Sequence, residues 1–115
     1  MLDIIRDSRI IGGMYTVIES HTFRRQAATV WTDAGREEFI DWIAANPEAG
    51  DVVKETSPAA RKVRWKRRGS GKSGGARIIY YLLDEDGAVF LATVYAKAET
   101  DAITAKEINK LAKGI

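Results

Sequence analysis

The sequence predicts an α+β fold. It reads as one compact domain with an antiparallel sheet of about four strands, two helices of the N-terminal half packed on one face, and a short C-terminal helix. Three observations carry this prediction. At 115 residues the chain suits a single core and is too short for two. Apolar residues recur at helical spacing after Thr32. Three runs after residue 60 alternate, or are rich in β-branched and aromatic residues, as strands are.

Met14 to Glu19, MYTVIE, reads as the first strand. The segment before it has a Gly12-Gly13 break and little pattern, so residues 1–13 are either an N-terminal extension or sequence upstream of a start at Met14. Ser20 is placed to cap a short helix over FRRQAATVW, and Thr32 a second one. In that second helix Phe39, Ile40, Trp42 and Ile43 form the inward stripe, and it ends near Asn46-Pro47. His21 stands beside the first helix start and reads as a surface or cap-adjacent residue. Residues 47–60 carry both prolines and read as a connection.

In Lys62 to Lys66, KVRWK, the alternation puts Val63 and Trp65 on one side and Lys62, Arg64 and Lys66 on the other. Ala76 to Leu83 reads as a central strand, Asp84 to Gly87 as a hairpin connection and Ala88 to Lys97 as the returning strand. Thr104 and Glu107 form a capping box that opens the last helix, with Ile108 and Leu111 facing in and Gly114 at its end.

Composition narrows the chemistry. The chain has no cysteine and one histidine, which excludes a disulfide framework, a thiolate metal site and histidine-rich ligand sets. No cofactor is implied. Charges interrupt MLDIIRDSRIIGG, so it lacks the apolar core of a signal peptide, and no later run suits a membrane span. The expected setting is the reducing cytoplasm.

The net charge of +2 hides a strong asymmetry. No acidic residue lies between Glu55 and Asp84, while Arg61, Lys62, Arg64, Lys66, Arg67, Arg68, Lys72 and Arg77 do. Such a run repels itself unless a polyanion or acidic partner neutralises it; the alternative is a solvated basic face.

Within this interval GlyLysSer at 71–73 resembles a nucleotide cradle, but two requirements fail. A phosphate-binding P-loop has a glycine five positions ahead of its GlyLysSer glycine and a helix behind it. Here Lys66 occupies the first place and the strand-forming ARIIYYLL the second. The run reads instead as a loop between antiparallel strands whose glycines admit a sugar-phosphate backbone, or as an ordinary hairpin connection.

Register sharpens the site. If Glu85, Asp86 and Gly87 form a three-residue turn with Gly87 left-handed, Asp84 opposes Ala88. Arg77 then opposes Tyr95, and Lys97 follows on the same face. Ala88, Phe90, Ala92, Val94 and Ala96 turn toward the packing helices. Lys62, Arg64, Lys66, Arg77, Tyr81, Tyr95 and Lys97 would thus share one cationic surface with aromatic members, the combination that suits single-stranded nucleic acid. Core packing is the competing role for Trp65, Tyr80 and Tyr81.

These residues resemble the RelE/ParE superfamily of type II toxins. The likeness is strongest to HigB-like toxins, through KxRxxxxGxGKxGGxRxIYY over residues 62–81 and TyrAlaLysAlaGlu over 95–99, and it runs from Met14 to the C-terminus. The resemblance implies a RelE-like domain over 14–115 and metal-independent, ribosome-dependent cleavage of mRNA. It also implies a cognate helix-turn-helix antitoxin, HigA-like, through which the toxin associates indirectly with DNA.

Such toxins place basic residues at the sites of Lys62 and Arg64, an arginine at Arg77 and a lysine at Lys97. The catalytic tyrosine that some relatives carry after this lysine has no match, and Thr104 stands near its place. Where relatives often show a GlyThrGlyGly-like stretch, this chain has GluThrSerProAlaAla.

The expected catalytic set is Arg77, Lys97, Lys62, Arg64 and Tyr95. Lys66, Arg67, Arg68, Lys72 and Tyr81 are expected to contact RNA or the ribosome. RNA supplies its own 2′-hydroxyl nucleophile, so the protein needs to align it and stabilise charge. Arg77 suits the second task and Lys62 or Lys97 the proton transfer. Two other readings stand beside this one: a ParE-like toxin that inhibits DNA gyrase, and a non-catalytic RNA-binding module.

Overall fold

Three hydroxyl side chains set the helix starts. Ser20 Oγ accepts from Phe23 N at 2.9 Å and Thr32 Oγ1 from Gly35 N at 3.1 Å. Thr104 Oγ1 accepts from Glu107 N at 3.2 Å, and the Glu107 carboxylate returns to Thr104 N at the same distance, closing the capping box. The structure, a computed structural model, describes residues 14–66, 75–96 and 103–112 together with the backbone of 4–7.

In chain order the elements are β1 (Ile4–Asp7), β2 (Thr16–Ser20), α1 (His21–Val30), α2 (Asp33–Ala45), β3 (Asp51–Val52), β4 (Ala60–Trp65), β5 (Ala76–Leu83), β6 (Ala88–Ala96) and α3 (Ala105–Leu111). The six strands form one sheet in the order β1-β2-β6-β5-β4-β3. The α+β class and the helix placement follow the expectation, and the sheet departs from it twice.

There are more strands than about four, because β1 lies in the charge-interrupted N-terminal segment and β3 is two residues within the 47–60 connection. Such short pairings leave no readable alternation. Further, β2 pairs with β6 in parallel, while all other neighbours are antiparallel. The chain leaves β2 through two helices before β4, β5 and β6 form a meander, so β6 arrives beside β2 running the same way.

Helices α1 and α2 cover one face. Phe23, Ala27 and Val30 of α1, with Phe39, Ile40, Ile43 and Ala44 of α2, pack on Val17, Val63, Ile78, Tyr80, Val89, Leu91 and Val94. Trp31 stacks on Phe39 at 5.4 Å, Phe39 meets Trp65 edge-on at 5.6 Å, and Trp42 lies 4.7 Å from Trp65.

Polar groups inside this layer are satisfied. The buried Glu19 carboxylate accepts from Arg36 at 2.8 Å and Arg24 at 3.3 Å, tying β2 to both helices. The Tyr80 hydroxyl donates to Pro47 O and accepts from Gly50 N, each at 2.8 Å. Burial pushes the Tyr80 phenol up from its ordinary value, against an opposing effect of the Gly50 hydrogen bond.

The other face is covered in part by α3. Ile108 is fully buried over a cluster that includes Ile79, Tyr81, Phe90 and Ala92, and Tyr81 Oη donates to Ile108 O at 2.9 Å. The expected end of this helix at Gly114 lies outside the described residues. No described helix is long and apolar enough to cross a membrane.

The β5–β6 hairpin holds two corrections that cancel. Asp84–Asp86 form a 3-10 turn and Gly87 is left-handed at φ 60°, so the connection has four residues and Leu83, not Asp84, opposes Ala88. A bulge at Ala92, between the Tyr80–Leu91 and Ile79–Thr93 pairs, then supplies the missing residue, and Arg77 does oppose Tyr95. The bulge also changes which side the strand presents. Ala88, Phe90 and Ala92 lie under α3 rather than under the paired helices, and Val94, beyond the bulge, joins the helix layer as expected.

Candidate nucleic-acid interface

Pleating decides which charges meet. On β4, Val63 and Trp65 turn into the helix layer, which leaves Lys62 and Arg64 on the opposite face. Arg64 pairs directly with Arg77 of β5, Lys62 with Ile79, and Arg77 in turn with Tyr95 of β6. Four of the five expected catalytic residues therefore adjoin on one surface, across three neighbouring strands. Arg64 is exposed, and Lys62, Arg77 and Tyr95 are half-buried. The fifth, Lys97, and the expected contacts Arg67, Arg68 and Lys72 lie outside the described residues.

The Arg64–Arg77 pair is electrostatically unfavourable. Directly opposed like charges destabilise an antiparallel pair, and their Cβ atoms stand about 5 Å apart. Among the described residues, Arg77 Nη1 is the one buried side-chain nitrogen or oxygen without a hydrogen-bond partner. It lies against the backbone of Gly75, whose φ is +99°; a Cβ there would sit 3.5 Å from Nη1 and 3.3 Å from Trp65 O. A buried guanidinium nitrogen without an acceptor carries a desolvation penalty that an incoming anion would relieve.

Two expected contacts lie elsewhere. Tyr81 is 1% exposed and its hydroxyl is spent on α3, so it packs rather than lining the surface. The strand pairing of β4 ends at Trp65, and Lys66 bends to the helix side, where Nζ meets Glu38 at 2.8 Å. Both partners are mostly exposed, which makes the pair worth less than about 1 kcal/mol. Trp65 follows its packing alternative but is not wholly enclosed.

Beside Lys66 lies a groove of about 350 Å³, lined by Trp31, Thr32, Ala34, Glu38, Trp65 and Lys66. Trp31 Nε1 donates to Lys66 O at 2.9 Å, joining two of the lining residues. Strand alternation marked Trp65 as inward, but nothing local to Trp31 or Glu38 signals this groove; it arises where the α1–α2 junction meets the end of β4. Among the described residues, no three His, Asp or Glu side chains gather as a metal site would require.

No family model matches the chain. A solved structure of the E. coli toxin RelE, a mutant with two arginines replaced by alanine and in the free state, is similar with a TM-score of 0.55. The match covers 87% of this chain and 95% of that one, at 23% sequence identity. The chain thus has a RelE-like fold.

Proposed function

We propose that the protein is the toxin of a type II toxin-antitoxin system, a ribosome-dependent endoribonuclease that cuts mRNA. The observation that carries this reading is the opposition of Arg64 and Arg77 beside Lys62 and Tyr95, with Arg77 Nη1 buried and unpaired among the described residues. A cation pair that costs stability suits a polyanion. The RelE-like fold and the HigB-like run over residues 62–81 support the choice of RNA.

The reaction follows from RNA chemistry. The 2′-oxygen attacks the adjacent phosphorus while its proton passes to a protein group, and the bond to the 5′-oxygen breaks as that oxygen takes up a proton. The products are a 2′,3′-cyclic phosphate and a 5′-hydroxyl. Arg77 stabilises the charge gathering on the phosphate through its fork of donors, and Arg64 holds a neighbouring phosphate. Lys62, Tyr95 and Lys97 are the groups available to exchange the two protons. Arg67, Arg68 and Lys72 contact the ribosome or its message. No metal enters this scheme, so EDTA at a level that leaves ribosomes intact leaves cleavage unchanged. A HigA-like helix-turn-helix antitoxin neutralises the toxin and links it to DNA.

Expression with mapping of RNA ends tests the reading. Induction stops growth and leaves codon-phased cuts in translated messages, and Arg77→Ala lowers cleavage about 100- to 1000-fold, as loss of a charge-stabilising donor does. Growth arrest without RNA cuts, or full cleavage by Arg77→Ala, overturns it; arrest with trapped gyrase would instead mark a ParE-like toxin.

A further inference from the structure

The groove beside Lys66 is on the helix side of the sheet, away from Arg77, and the proposed cleavage does not use it. Its walls are aromatic and rigidly held: Phe39 backs Trp31 at 5.4 Å, Trp42 backs Trp65 at 4.7 Å, and Trp31 Nε1 is bonded to Lys66 O. Its rim carries one carboxylate and one ammonium, Glu38 and Lys66, 2.8 Å apart and both mostly solvent-exposed. At about 350 Å³ it falls in the size range of small-ligand pockets.

That chemistry fits one kind of occupant. The half-buried indole of Trp65 offers a stacking face to a planar base, over a floor made by Trp31, which is 7% exposed and stacked on Phe39; a carboxylate can accept from the amino group on a base edge. Lys66 offers a cation to the adjoining phosphate. Charge complementarity draws a polyanion to this end of the sheet, where Arg64 and Arg77 lie just across from the groove. We infer that the groove is a nucleobase slot. It takes one unstacked base of a single-stranded RNA whose backbone lies on the basic end of the sheet. The inference rests on the RNA reading above but on different atoms.

The protein carries its own reporter. All three tryptophans of the chain, Trp31, Trp42 and Trp65, belong to this aromatic pack, so intrinsic emission reports on the slot, and the Ala34→Leu and Arg77→Ala variants separate its response from binding on the opposite face. The full chain is titrated with a labelled single-stranded oligoribonucleotide and with an abasic strand of equal length, following tryptophan emission and anisotropy. The oligoribonucleotide quenches emission; the abasic strand leaves it unchanged and binds about tenfold more weakly. Ala34→Leu, at an exposed position on the lip, removes the quench and weakens binding to a similar degree. Glu38→Gln keeps the quench and alters the preference among oligo-C, oligo-A and oligo-U. Arg77→Ala loses cleavage and keeps the quench.

Equal binding of the abasic strand, or an unchanged quench in Ala34→Leu, overturns the slot and leaves the RNA reading standing. No binding of RNA by the unaltered chain overturns the slot, while the RNA reading falls only if induction leaves no codon-phased cuts in translated messages. Self-association that Ala34→Leu abolishes assigns the groove to a second copy, and an emission change produced by a partner protein but not by RNA assigns it to that protein; either result overturns the slot.

Discussion

The two faces of the sheet follow opposite rules. On the helix-covered face the buried polar groups described above are answered: Glu19 by two arginines, the Tyr80 hydroxyl by two backbone groups. On the other face, beyond the edge of α3, two arginines oppose each other and a buried guanidinium nitrogen has no acceptor among the described residues. The first arrangement leaves no buried charge uncompensated, and the second does. Charges that oppose stability are expected where a site awaits a ligand of the other sign. The contrast therefore separates residues that hold the fold from residues whose arrangement costs it stability.

The sharpest way to break this contrast is at Glu19. Replacing it with glutamine leaves the nearly enclosed Arg36 with only its longer contact to Glu37, at 3.8 Å, and unfolding free energy should fall by about 3 kcal/mol in a denaturant titration, the lower end for a buried charge that loses its close partner. A loss under 1 kcal/mol would mean that the helix layer does not depend on the network. Gly50 probes the same layer more gently. A Cβ there would stand 2.8 Å from Tyr80 Cε1 and 3.0 Å from Lys62 O, so Gly50→Ala should cost about 1 to 3 kcal/mol. The smallest effect is expected on the cationic face, where Arg64→Ala should leave stability unchanged or raise it by up to about 1 kcal/mol while weakening RNA binding. Marked destabilisation by Arg64→Ala would show that the pair supports the fold after all.

The legible parts of the molecule are those governed by local chemistry. Ser20, Thr32 and Thr104 announce their helices because a cap needs only a hydroxyl and an N–H a few residues away. The Ala76–Leu83 strand announces itself through IIYYLL, where β-branched and aromatic residues leave little choice. Less legible were features made by distant partners. The two residues of β3 have no pattern of their own and become a strand because Arg61 and Lys62 lie alongside. Arg61 also ties the loop before β3 by donating to Gly50 O at 2.7 Å.

Tyr81 was legible only in part, since its periodicity assigned a face but not the α3 helix that covers that face. Lys66 shows the reverse problem. Alternation carried one residue too far assigns it to the cationic surface, whereas the strand has already ended and Glu38 draws the side chain across.

The Ala92 bulge has a consequence for how this protein can vary. From the Leu83–Ala88 pair to the Arg77–Tyr95 pair, β5 advances six residues and β6 seven, the extra one being Ala92. The tip residues 84–87 stand outside that count. Length changes at the tip therefore leave Arg77 opposite Tyr95, whereas an insertion on either arm has to be absorbed in a further bulge to keep the pair. Gaps gathered at 84–87 and scarce on the two arms would be its trace.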